Sequence, residues 1–468
     1  MPTRKSFLKT LALSSAAAIL KPFSGYAMPF FPYAPSGNVD YFQKADQRYD
    51  ELRKGFNKRI SRSPQIIALC YNTAGVQEAV QYAVKSNLKI AVKSGGHCME
   101  GFSGSEGGMQ VIVSQLNKLE WLGEFQIKTG PGCLLKDIYA ELVTKGKILP
   151  GGSCGTVAIG GLTLGGGYGL MSRLFGLTAD SLLEVTMVDA AGNIINSAND
   201  PELLWACRGG GNGNFGIITE MKFKVHTMPR SMSSYRFKAF KLNVIQAKNI
   251  MQTWFAETQK LPNACFSALL FNGNTAYILL TNVSKHTPAV EQFVRAMSAV
   301  TQKHTANLRQ PLGAALKVFY GEQHPVKFKN ASAGLYRSFA DIEAISGDIL
   351  QIVLNTKGMI YQLNTLGGAI QLKEFEAASS FPHRTFPYFS ELQTYWGADA
   401  RGEVLMQRFQ QVQDIIAAHG ITAQYRNYPD INFKNPLQQY YGNNLARLMQ
   451  VKEKYNKLGF IAHPQSFL

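Results

Sequence analysis

Residues 151–169, GGSCGTVAIGGLTLGGGYG, hold nine glycines in nineteen positions. So bare a backbone must turn sharply or lie close against something, because glycine inside a regular helix or strand costs roughly 0.5–1 kcal/mol relative to alanine. One thiol, Cys154, sits within it. Taken alone, that cysteine is open to four roles: buried filler, half of a disulfide, a nucleophile, or a covalent anchor for a cofactor. A Cys–His protease would need a general base and an orienting partner, and nothing local nominates them. Backbone amides in such loops line pyrophosphates closely, so the glycines point to a large flat or phosphorylated ligand.

The 468 residues exceed the ~250–300 at which one core usually stops growing, so two domains are expected. The apolar runs are too short for a membrane span in the mature chain. The N-terminus reads as an export signal: a basic MPTRKSFLK, a short apolar TLALSSAAAIL, and KPFSGYA ending near Ala27. TRKSFLK resembles the twin-arginine signal with Lys5 in the second arginine's place, so a periplasmic or secreted protein is expected. Removing residues 1–27 takes away Arg4, Lys5, Lys9 and Lys21 and no acid, which lowers the net charge from +17 to +13. No block of five like charges and no nucleic-acid motif accompanies that excess, so it reads as a solvated basic surface with no nucleic-acid partner. The six cysteines, Cys70, Cys98, Cys133, Cys154, Cys207 and Cys265, lack CxxC spacing. No metal site is expected from them, although an exported chain can form one or two disulfides.

Along the chain, PQIIALC, a helix opening at a capping Thr73, and LKIAVKS form a β-α-β unit that delivers Gly95, Gly96 and His97 at the end of a strand. Ligands often meet an α/β layer there. LLEVTMVDAAGNII reads as two strands around a Gly192 turn, and a helix starts at Pro201. Gly211, Gly213 and Gly216 then satisfy GxGxxG. The dinucleotide motif must open a helix, whereas here Thr219, Met221, Phe223 and Val225 alternate with polar residues at period two, so a strand follows and a Rossmann site is excluded. Residues 230–420 lose the glycine runs and alternate strand-like pieces with helical ones, which predicts an antiparallel sheet covered by helices.

The pairing of His97 with Cys154 adds a resemblance. KSGGH (93–97) and GSCGTVAIGGLTLGGGYG (152–169) are similar to two motifs of the berberine bridge enzyme-like oxidases, within the vanillyl-alcohol oxidase and p-cresol methylhydroxylase superfamily of flavoproteins. In the family RSGGH motif the histidine bonds the flavin 8α-carbon, and in GxCPTVGxGGHxxGGGYG the cysteine bonds flavin C6. LLWACRGGGNGNFGIIT, FPHRTFPYFSELQTYW, NYPD and YYGNNLARLMQVK resemble further family blocks in the same order. The chain departs from the pattern at Gly155 (proline), Leu162 (histidine), Met99 (tyrosine in many plant members) and KLGFIAH (DPxNxF). These departures put plant-type alkaloid or cannabinoid substrates in doubt.

The resemblance implies an α+β, two-domain flavoprotein. Residues 28–228 would form a PCMH-type FAD-binding domain, 229–424 a substrate domain with a helix-covered antiparallel sheet, and 425–468 a return segment on the FAD domain. It implies FAD held through His97 and Cys154 and cradled by Ser94, Gly95, Gly96 and Gly101, by Gly152, Gly155, Thr156, Gly160 and Gly161, and by Gly216 and Ile217. It also implies that Tyr428 takes a hydroxyl proton with Tyr168 as its partner and Gln393 in support. A phenol near pKa ~10 needs nearby charge or hydrogen bonds to ionise at neutral pH. Period two on FSELQTYW aims Glu391, Gln393 and Tyr395 to one face and Leu392 to the other, with Glu391 orienting substrate or shifting the base; His383 reads as structural. The expected activity is hydride removal from a hydroxyl-bearing carbon of a sugar, oligosaccharide or other alcohol, with dioxygen reduced to hydrogen peroxide. The alternatives are a dehydrogenase of the same fold with another acceptor, or a non-catalytic binding scaffold.

Overall fold

The structure, a computed structural model, describes residues 37–397 and 401–467; the expected export signal lies outside the described residues. Four strands form the first sheet: β1 (Val39–Phe42), β2 (Ile66–Cys70), β3 (Ile90–Lys93) and β4 (Met109–Ile112), in the order β1-β2-β4-β3. β2 and β3 both run parallel to β4, as a β-α-β crossover requires. The crossover helix Thr73–Lys85 is capped by Asn72 and not by Thr73: the Asn72 carboxamide accepts the Gly75 N–H at 2.9 Å. Asparagine is at least as good an N-cap as threonine, so the helix starts one residue earlier than its spacing suggested. Val76, Ala79, Val80 and Ala83 pack it on the sheet.

The second sheet is antiparallel: β5 (Leu119–Gly123), β6 (Gln126–Thr129), β8 (Leu182–Asp189), β9 (Ile194–Asn196) and β10 (Gly216–Lys224), ordered β5-β6-β10-β8-β9. A small ribbon pairs β7 (Lys147–Ile148) with β11 (His226–Thr227). β8 and β9 flank the Gly192 turn, and β10 is the strand that the alternation after GxGxxG predicted.

Seven strands make the third sheet, antiparallel throughout: β12 (Ser231–Phe240), β13 (Cys265–Asn272), β14 (Thr275–Asn282), β15 (Lys303–Pro311), β16 (Lys327–Tyr336), β17 (Met359–Thr365) and β18 (Tyr388–Trp396). Their order is β15-β12-β14-β13-β17-β18-β16. Alternate residues serve two layers. On β13, Cys265, Leu269 and Phe271 face the core under helices Val244–Thr258, Pro288–Ala299, Glu343–Leu354 and Arg401–Ala418, whereas Phe266, Ala268 and Leu270 join the core around Ile159 and Leu164 of the glycine stretch. The architecture is mixed α+β. Its two edges differ: all nine residues of β15 are exposed, whereas β16 is bonded by the start of the return segment and the residues just before it, with the Ser332 N–H donating to the Tyr428 carbonyl at 2.8 Å and the Leu335 N–H to the Ala423 carbonyl at 3.2 Å. The six cysteines are free thiols.

Candidate active site

A cavity of about 310 Å³ opens where the three layers meet, lined by the KSGGH loop, the glycine stretch, the second glycine run, the faces of β16 to β18 and the YRNY turn. The loop and the glycine stretch touch backbone to backbone. A Cβ on Gly95 would come within 2.8 Å of the Ala158 nitrogen, and the Ser94 hydroxyl donates to the Pro131 carbonyl at 2.5 Å.

His97 and Cys154 both line the cavity and meet at Thr156. The Thr156 hydroxyl lies 3.7 Å from the Cys154 sulfur, and its backbone hydrogen-bonds the His97 ring. Phe56 stacks on His97 with centroids 4.1 Å apart. Burial pushes His97 down to about 4 against the Thr156 bond, so the imidazole is neutral with a lone pair to give. Burial raises the Cys154 thiol, so it keeps its proton. The departure at Gly155 has a local cause. Its N–H donates to the Tyr320 carbonyl at 3.1 Å, and a Cβ there would press the Tyr320 ring at 3.0 Å; proline has no N–H to give and adds a ring.

A polar wall faces these two residues. The Asn330 and Asn364 amides donate to the two oxygens of Glu391 at 3.2 and 3.4 Å. Gln362 donates to Asn364 at 2.8 Å, Gln393 to Gln362 at 3.2 Å, and the Tyr395 hydroxyl to Gln393 at 2.9 Å. Cross-strand register builds this wall, since Gln362 stands opposite Glu391 and Asn330 opposite Gln393. Glu391, Gln393 and Tyr395 share the cavity face, and Leu392 enters the opposite core, as their spacing predicted. Burial, opposed by the Asn330, Asn364 and Gln393 bonds, pushes Glu391 up to about 7.

Tyr168 and Tyr428 line the cavity beside this wall, and both pack on Phe389, at 4.8 and 5.9 Å. The Tyr168 hydroxyl donates to the Thr365 carbonyl at 3.2 Å. Gln393 bonds Gln362 and Tyr395 rather than this tyrosine pair. The expected help for Tyr428 to ionise runs the other way: burial first, then Glu391, Tyr425, Tyr168 and Cys154, hold its phenol well above the ordinary value. Burial and Glu391 do the same to Tyr168.

Of the expected cofactor residues, Ser94, Gly95, Gly96, Gly152, Gly160, Gly161 and Gly216 line the cavity with His97 and Cys154. Gly101, Gly155, Thr156 and Ile217 do not. Gly101 turns against Ile60, Gly155 lies under Tyr320, Thr156 works through its neighbours, and Ile217 is wholly buried in the core of the first sheet. His383 is buried between Phe381 and Phe386, consistent with a packing role. Sequence reasoning missed Phe56, Asn330, Gln362, Asn364 and Tyr425. The Tyr425 hydroxyl accepts the Gly167 and Tyr168 N–H groups at 3.1 and 3.2 Å, which fixes the end of the glycine stretch. Gln362 and Asn364 carried a signal, two carboxamides at period two inside the otherwise apolar strand MIYQLNT.

Residues 64–198 match the FAD binding domain family, and residues 424–467 match the family described as berberine and berberine like. An uncharacterized FAD-linked oxidoreductase of Bacillus subtilis is 28% identical over 441 residues, covering 90% of this chain and 96% of that protein. Chitooligosaccharide oxidase of Gibberella zeae is 25% identical over 464 residues, covering 90% and 91%. The solved structure of Physcomitrella patens BBE-like 1 superposes with a TM-score of 0.83 at 23% identity, covering 92% of this chain and 97% of that one. The cavity with its FAD binding domain thus defines an enzyme, an FAD-linked oxidoreductase. Its C-terminal segment matches the berberine and berberine-like family, and its relatives and fold are similar to those of berberine bridge enzyme-like FAD oxidases. Among the described residues no helix is long and apolar enough to cross a membrane, and no cluster of His, Cys, Asp or Glu has metal-binding geometry.

Proposed function

We propose that this protein is an oxidase carrying FAD attached through both His97 and Cys154, and that it acts on the hydroxyl-bearing carbon of a sugar or oligosaccharide. The carrying observation is that a neutral imidazole and a thiol, joined through Thr156, share one cavity with a wall of four carboxamides and a titratable carboxyl. FAD, when bound, supplies the hydride acceptor and passes the electrons to dioxygen, giving hydrogen peroxide. His97 and Cys154 fix the cofactor at two points and so set its distance from the substrate carbon. Asn330 and its neighbours bind and orient hydroxyl groups. The Asn330 carbonyl oxygen is buried without a partner, an acceptor that a substrate hydroxyl can satisfy. The hydroxyl proton goes to the Tyr428–Glu391 pair. Tyr428 is held neutral, and Glu391, with its carboxyl near 7, is the member that changes charge at neutral pH. The same reading keeps residues 28–228, 229–424 and 425–468 as cofactor domain, substrate domain and return segment, with export to the periplasm or medium.

The test is intact mass and the absorbance of acid-denatured protein for the wild type, His97→Ala and Cys154→Ala, followed by a peroxide assay on oligosaccharides and simple alcohols. Flavin should stay with the denatured wild type and with each single variant. Flavin released from the denatured wild type would refute the double linkage. Substrate turnover with a dye acceptor but without peroxide would make the protein a dehydrogenase.

A further inference from the structure

Arg426 is 3% exposed, lines the cavity, and has neutral hydrogen-bond partners: its Nε donates to the Tyr441 hydroxyl at 3.1 Å, and its Nη2 lies 3.0 Å from His463 Nε2. Burial works against its charge while Tyr441, Tyr440 and Cys98 favour it, and the balance lies above the ordinary value; burial in turn keeps those three groups neutral at neutral pH. A guanidinium so placed has donors to spare and no carboxylate to repay its lost hydration. The contact with His463 is itself frustrated. The His463 Nδ1 already faces the Gln465 N–H at 3.1 Å, and Nε2 faces Arg426, which can only donate. Burial first, then Arg426, holds His463 neutral, and a neutral imidazole has one lone pair. Nδ1 accepts the Gln465 N–H, so Nε2 carries the ring proton, which the Asn212 backbone takes; the Arg426 N–H that faces Nε2 finds no lone pair there.

The second glycine run makes this meeting possible. Gly211 (φ +89°) lies where a Cβ would stand 3.2 Å from the Arg426 Nε, and Gly213 (φ +74°) where a Cβ would stand 3.3 Å from the His463 ring. The Asn212 amide between them donates to the Gly161 carbonyl at 2.8 Å, which ties this run to the opening one. Phe102 stacks on His463 with centroids 5.0 Å apart and holds the ring in place.

We infer that Arg426 and His463, brought together over Gly211 and Gly213, form the corner of the cavity that takes an anionic oxygen of the bound dinucleotide. An acceptor there receives the Arg426 fork, which the protonated Nε2 of His463 cannot, and so relieves the meeting of two donors. The inference rests on FAD occupying the cavity. Two oxygens of FAD have the right chemistry, those of the pyrophosphate and that of the flavin pyrimidine edge, which becomes negative when sulfite adds to the ring.

The experiment compares purified wild type with Arg426→Met and Arg426→Lys, reading flavin per chain and the dissociation constant for sulfite. If the corner holds the pyrophosphate, Arg426→Met carries severalfold less flavin, and what it carries binds sulfite as the wild type does. If it holds the pyrimidine oxygen, flavin content is kept and the sulfite constant rises at least tenfold. Arg426→Lys keeps the charge but not the fork and falls between; it serves as the reading if the methionine variant does not fold. A folded variant, judged by its circular dichroism and a cooperative melt, with both quantities within twofold of wild type overturns the inference. A wild type that carries no flavin would instead overturn the FAD reading on which it rests.

Discussion

Burial of Glu391 keeps on its carboxyl, up to about pH 7, a proton that an ordinary glutamate gives up in mild acid. A protonated acid cannot accept the substrate proton, so kcat/KM should rise with pH through about 7. In Glu391→Gln that step should vanish and the rate fall by roughly 10²–10⁴, the usual worth of acid–base catalysis. The linkage has the opposite sign. Because the folded protein binds this proton more tightly than the unfolded chain does, the stability Glu391 contributes is full in acid and is lost as pH rises through about 7. Glu391→Gln has no charge to bury, so above pH 7 it should melt higher than wild type by an increment worth about 3 kcal/mol at most, and in acid the two melts should converge. Tyr428→Phe removes a hydroxyl that stays neutral in either case, so it should lower kcat without moving the pH midpoint. None of this was readable from FSELQTYW. Alternation placed Glu391 and Gln393 on one face, but the shift on Glu391 is set by burial against Asn330 and Asn364, which come from strands 27 to 61 residues away in the chain.

Between elements, the turn that carries Tyr428 is held by buried charge. Lys329 on β16 bonds both Glu100, three residues past His97, and Asp430, two past Tyr428, the latter at 2.6 Å; Arg59 completes the set with Glu100 at 2.7 Å. Lys329, Glu100 and Asp430 are each at most 4% exposed. One ammonium therefore joins the His97 loop, the wall strand and the return segment. Removing one partner of a buried pair leaves the other uncompensated, so Lys329→Met should cost about 3–5 kcal/mol in urea unfolding. At that cost flavin attachment should also suffer, because the loops carrying His97 and Tyr428 lose their shared tether. A surface pair such as Arg295 with Glu291 should give a change within about 0.5 kcal/mol when Glu291 is replaced by Gln.

For the whole molecule, the layers were legible wherever period and punctuation agree. The strand after GxGxxG, the Gly192 turn, the helix at Pro201 and the helix-covered sheet follow from local pattern. What was not legible is whatever needs two distant segments at once: the carboxamide wall, the Tyr425 clamp on Gly167 and Tyr168, and the meeting of Arg426 with His463. The seven-stranded sheet illustrates both sides. Its β16 edge is occupied by the protein's own return segment, which is how Tyr428 reaches the cavity. Its β15 edge ends in open backbone, and there Lys303, His304 and Arg309 stand on a strand exposed along its whole length. Unpaired strand edges invite pairing with other chains, and charge deters it. Replacing Lys303 by Val and Arg309 by Asn, which tolerates the left-handed backbone there (φ +48°), should leave flavin and melting point unchanged while light scattering grows with concentration. On that result the basic residues of β15 act in colloidal behaviour: they keep separate molecules from adding strands to one another, on the side of the sheet where no described segment of the same chain closes it.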